Sequence, residues 1–93
     1  VSLTKHLRIE VTQADIDAGV RHASYKCMMA LAVKRATGLV AMVTTRFVAI
    51  DEPMGGAAIK RVWYELNDTT IKRVSDFDDG LPVKPFVTYI HGI

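Results

Sequence analysis

The chain has 93 residues, 49% of them hydrophobic and 24% charged, with 12 Lys/Arg against 10 Asp/Glu and a formal net charge of +2. This suits one folded domain with a modest core and excludes a disordered chain, and the slight positive balance marks neither a nucleic-acid nor a membrane partner. The lone cysteine, Cys27, excludes an internal disulfide framework, and no apolar run approaches the roughly 18 residues that span a bilayer.

The opening Val-Ser-Leu-Thr-Lys-His has no apolar stretch of the kind a secretory leader carries, so with the single thiol the expected setting is reducing and cytoplasmic. Leu7 to Val11 alternates apolar with charged residues and predicts a strand with Leu7, Ile9 and Val11 toward a core. Thr12-Gln13-Ala14-Asp15 then reads as a helix start. The Thr12 hydroxyl caps the Asp15 N–H, the Asp15 carboxylate returns to Thr12, and Gly19 offers a left-handed stop.

Residues 20–24 form a connection, with Ser24 available as a cap. Tyr25 to Thr37 is the most apolar stretch, rich in helix formers and apolar on more than one face, which predicts a largely buried helix. Lys34 and Arg35 suit its negative end and Gly38 its stop. Leu39 to Thr45 and Phe47 to Ile50 read as strand, bent near Arg46 or divided there, and residues 51–56 as a loop containing Gly55-Gly56.

Ile59 to Leu66 predicts a further strand with Ile59, Arg61, Trp63 and Glu65 on one face and Lys60, Val62, Tyr64 and Leu66 on the other. Asn67 or Asp68 caps a third helix lined by Ile71, Val74 and Phe77 and ended by Gly80. Pro82 and Pro85 keep the following residues extended, and Phe86 to Ile90 closes the chain as a strand. The expected fold is α+β in the order β-α-α-β-β-β-α-β, a mostly antiparallel sheet with helices packed on one face. With a small core and the 86–90 strand as an exposed edge, a homodimer is also an expectation.

No catalytic set emerges from the spacing. Cys27 opens an apolar helical run, where a thiol is a packing residue rather than a nucleophile, although His6, His22 and His91 are conceivable bases. The three histidines and Cys27 match no zinc-ligand pattern, and Asp76-Phe77-Asp78-Asp79-Gly80 lacks the alternating ligands and distal glutamate of a calcium loop, so neither metal nor cofactor is expected. Asp78 and Asp79 sit at the unfavourable negative end of a helix dipole, which marks them as a contact candidate. Basic doublets at Lys34-Arg35, Lys60-Arg61 and Lys72-Arg73, the middle one followed by Trp63 and Tyr64, are the nucleic-acid candidate. Aromatics and arginine also dominate protein-binding hot spots, so Arg61, Trp63 and Tyr64 are the expected partner-binding residues on either reading.

Three stretches taken together resemble a family. They are Val11 to Gly19, Cys27 to Ala36 and Phe77 to Phe86. In order and spacing they are similar to short bacteriophage reading frames common in phages of high-GC actinobacteria, which read V-T-Q-x-x-I-x-x-G, C-P-x-A-L-A and F-D-x-G-x-P-V-x-P-F. This chain departs in having Met28 where proline is usual and in lacking a second cysteine upstream of Cys27. The resemblance supplies no catalytic residue. It implies a small non-enzymatic accessory protein that binds a host macromolecule, above all a host protein, with nucleic-acid association or a minor virion role as the alternatives.

Overall fold

In a computed structural model, residues 3–93 are described. The leader reading rests partly on Val1 and Ser2, which lie outside them. The elements are β1 (His6–Val11), α1 (Gln13–Ala18), α2 (Met28–Thr37), β2 (Ala41–Val43), β3 (Phe47–Pro53), β4 (Ile59–Glu65), α3 (Asp68–Asp78) and β5 (Phe86–Gly92). The fold is α+β in the expected order.

Local chemistry explains most of the boundaries. The Thr12 hydroxyl accepts from the Asp15 N–H at 3.3 Å, and the Asp15 carboxylate accepts from the Thr12 N–H at 2.9 Å, so the shorter aspartate still closes the box. Gly38 ends α2 in the left-handed region with φ 73°, and the Asn67 side chain accepts from the Thr70 N–H at 2.8 Å to cap α3. β3 runs on to Pro53, so the loop shrinks to residues 54–58, with Gly55 and Gly56 both at positive φ.

Two expectations about helix ends are corrected. Gly19 is extended, with φ −67° and ψ 144°, not left-handed. Glycine is needed there for space, because a Cβ would stand 2.7 Å from the Met28 nitrogen and 2.8 Å from the Phe77 ring. The second helix begins at Met28, not at Tyr25. Its cap is Cys27, whose sulfur accepts from the Ala30 N–H at 3.5 Å. Ser24 lies in the preceding turn, where its carbonyl accepts from the Val43 N–H at 2.8 Å and covers the edge of β2.

The sheet has five strands in the order β1-β5-β4-β3-β2, every pair antiparallel. β5 is therefore an internal strand, and the expectation of an exposed 86–90 edge is corrected: β1 flanks its whole length on one side. On the other side β5 meets β4 only through Tyr64↔Gly92 and Glu65↔His91. Beyond that point β4 has already turned into α3, and the side chains of Asn67 and Thr70 reach Thr88 at 3.2 and 2.6 Å. Two buried threonines thus satisfy each other where the ladder stops. This stagger slides the β1–β5 pair along the strand direction, giving an elongated molecule of 41 × 22 × 19 Å.

The core lies between one sheet face and the helices. Ile9, Val11, Val48, Ile50, Tyr64 and Ile90 from the strands pack with Met28, Met29 and Val33 of α2 and with Val74 and Phe77 of α3. Strand alternation sends the intervening residues to the opposite face, where no helix lies.

Candidate interaction face

The uncovered sheet face is built by alternation on four long or adjoining strands. β3 contributes Phe47, Ala49 and Asp51, and β4 contributes Ile59, Arg61, Trp63 and Glu65 opposite them. β5 adds Val87, Tyr89 and His91, which stand opposite Glu10, Arg8 and His6 of β1. Trp63 is 39% exposed, Tyr89 53% and Val87 42%. The Trp63 and Phe47 rings meet edge to face with centroids 6.4 Å apart, a diagonal cross-strand pair in the favoured aromatic geometry. These apolar side chains share the side of the sheet that the helices leave open.

The three residues singled out from the sequence separate. Arg61 and Trp63 lie on this face. Tyr64 lies on the other and is 1% exposed, with its hydroxyl donating to the Thr4 carbonyl at 2.6 Å. Burial pushes its phenol above the ordinary value. A partner contact through Tyr64 is therefore withdrawn, for the reason that strand alternation already contained: neighbours in a strand point to opposite faces. Phe47 reaches Trp63 from the neighbouring strand, and Tyr89 shares the same face farther along β5; only the strand order puts them on one side with Trp63.

The electrostatics of the face are near balance. Arg8 and Arg61 stand against Glu10, Asp51 and Glu65, two cations to three carboxylates. Arg61 is not free, because Nε and Nη2 donate to the two Asp51 oxygens at 2.9 and 3.3 Å. That hydrogen-bonded guanidinium holds the Asp51 carboxyl below its ordinary pKa. The other doublets are engaged likewise. Arg35 donates twice to Asp15, Lys72 pairs with Asp76 at 3.2 Å, and Arg73 lies over the Phe86 ring at 4.7 Å. Four of the six residues in the basic doublets thus have intramolecular partners.

A second feature is an open cleft of about 420 Å³ between the 22–27 loop, the β2–β3 turn and α3, lined by His22, Ser24, Cys27, Thr44, Ser75 and Asp78 among others. It brings a thiol, an imidazole and a carboxylate into one region, but their interactions are structural. The Cys27 sulfur accepts the Ala30 N–H as a cap, and burial raises its pKa, which keeps it a thiol. His22 has φ 60°, and its backbone N–H donates to Asp78 at 3.0 Å. This bond ties the loop to the end of α3 and gives Asp78 a donor at a helix terminus that otherwise disfavours it.

Among the described residues no group of three or more His, Cys, Asp or Glu is placed to hold a metal ion, and no helix is long and apolar enough to cross a membrane. Compared with protein-family models, curated proteins and solved structures, the chain matches none.

Proposed function

We propose that this chain is a non-enzymatic protein-binding module that presents the uncovered sheet face, centred on Trp63 with Phe47, Tyr89 and Arg61, to a partner protein. The observation that supports the reading is the edge-to-face pair of the exposed Trp63 with the half-buried Phe47, on a sheet whose helices all lie on the other side. The motif resemblance to phage reading frames makes the expected partner a bacterial host protein bound during infection or lysogeny. A fitting partner surface is apolar at its centre with mixed charge at its rim, because the face has two arginines and three carboxylates around its aromatic residues.

Nucleic-acid association through the Lys60–Tyr64 strand is the less favoured reading. A stacking surface for bases works with free cations beside the rings, whereas here Arg61 is closed onto Asp51 and carboxylates outnumber arginines.

The test compares capture from host lysate by the wild-type chain, by Trp63→Ala and by Ala36→Arg on the exposed helix side. A protein retained by wild type and Ala36→Arg but lost with Trp63→Ala supports the reading. Equal retention by all three, or retention of nucleic acid in place of protein, contradicts it.

A further inference from the structure

We propose that His6 and His91 form a binding site for a divalent late first-row transition-metal ion, Zn²⁺ or Ni²⁺, which clasps the first strand to the last. The two residues are direct partners in the β1–β5 ladder and share the uncovered face. Their Nδ1 atoms stand 2.6 Å apart, with ring centroids at 4.8 Å and planes at 80°. Both side chains are exposed, so neither ring is held by core packing.

Two neutral imidazoles facing each other through Nδ1 hold one proton between them, one ring donating and the other accepting. A metal ion takes both Nδ1 lone pairs, and the ring that carried the shared proton on Nδ1 holds it on Nε2 instead, by tautomer exchange through water, so both imidazoles stay neutral. Zinc–imidazole bonds of about 2.0–2.1 Å at a tetrahedral angle require the nitrogens roughly 3.3 Å apart. The rings must therefore open by less than about 1 Å, a small rotation for two solvent-facing side chains. Imidazole donors select late transition metals over Mg²⁺ and Ca²⁺, which prefer oxygen. Water completes the shell. The site uses two preformed nitrogens rather than a complete cage, in keeping with the absence of a ready group of three ligands among the described residues.

Sequence spacing gave no sign of it. The two histidines are 85 positions apart, and only strand pairing makes them neighbours. An ion bound to both holds the two strands together, so binding and thermal stability are linked.

The experiment uses tag-free chain, ZnCl₂, NiCl₂ and MgCl₂. Thermal melts are recorded alongside the imidazole ¹⁵N resonances. Zinc and nickel are expected to raise Tm by about 10 °C at large excess, magnesium to leave it unchanged, and EDTA to reverse the rise. The His6 and His91 resonances of the wild type move together, and the His22 resonance stays in place. His91→Gln, whose side chain is exposed, abolishes the rise, and His22→Gln retains it. No rise with zinc, an equal rise in His91→Gln, or a shift at only one of the two imidazoles overturns the proposal. The paired resonance shift decides the matter even if a variant folds poorly, since it is read on wild-type protein.

Discussion

Trp63 and Phe47 lean edge to face across neighbouring strands, centroids 6.4 Å apart, on the side of the sheet that no helix covers. The next residue in the chain, Tyr64, is buried on the opposite side. This one-residue alternation separates the proposed binding role from a folding role and makes the two separable by mutation. Trp63→Ala removes a half-exposed ring and is expected to cost at most about 1.5 kcal/mol of stability, while lowering partner affinity by about 30-fold or more. Tyr64→Phe deletes only the hydroxyl bonded to Thr4, is expected to cost about 1 kcal/mol, and leaves affinity unchanged. Urea unfolding and binding titrations on the two variants read both quantities.

Asp15 is the polar junction of the helical layer. At 7% exposure it accepts the Thr12 N–H and takes Arg35 Nη1 at 2.9 and 2.8 Å, joining the start of α1 to the last turn of α2. Asp15→Ala breaks the cap and strands the guanidinium. Because Arg35 is about half exposed, solvent softens the loss, and the expected cost is about 2 kcal/mol. A Trp63 reporter of partner binding should be unmoved once the variant is folded, since the two sites lie on opposite sides of the sheet. Denaturation midpoints and binding titrations together check this.

Gly19 gives a different kind of test, since its φ is ordinary and only space is lacking. Gly19→Ala drives a Cβ against the Met28 backbone and the Phe77 ring, both part of the core, and is expected to destabilise by about 1–3 kcal/mol. Truncating the ring in Gly19→Ala/Phe77→Leu should give a loss smaller than the sum of the two single changes. A thermal double-mutant cycle measures the coupling.

The Asp51–Arg61 pair fixes a pH dependence. The folded-state pKa of Asp51 is depressed, first by the hydrogen bond from Arg61, so its contribution to stability is complete above the unfolded carboxylate value of about 3.9 and is lost as pH falls through the lower folded value. A carboxyl ¹³C titration should place Asp51 below the ordinary range in wild type and return it toward that range in Arg61→Ala. An ordinary midpoint in wild type would show that the pair is open in solution.

Much of this architecture could be read residue by residue where the determinants are local. The Thr12 box, the Gly38 stop, the Asn67 cap and the two faces of β4 all depend on neighbours within a few positions, and the structure has them where the sequence puts them. The start of α2 was not legible, because residues 23–27 close a turn of their own, with the Lys26 and Cys27 N–H groups both donating to the Ala23 carbonyl, and the helix begins only after it. The place of β5 was not legible either. Its alternation predicts a strand but not which neighbours it finds. The candidate face suffers most from this limit. Arg61 and Trp63 share a strand and were visible, whereas Phe47, Tyr89 and the facing histidines come from other strands and reach one face only through the order β1-β5-β4-β3-β2.

The most direct measurement of the central claim is site-specific photo-crosslinking in living host cells. The photoreactive residue is placed in turn at Glu65, the ladder partner of Phe47 on the uncovered face, and at Ala36 on the helix side, both exposed positions. The expected result is an adduct with one host protein from position 65, abolished by adding Trp63→Ala, and no such adduct from position 36. The same adduct from position 36, or an adduct from position 65 that persists with Trp63→Ala, would contradict the claim.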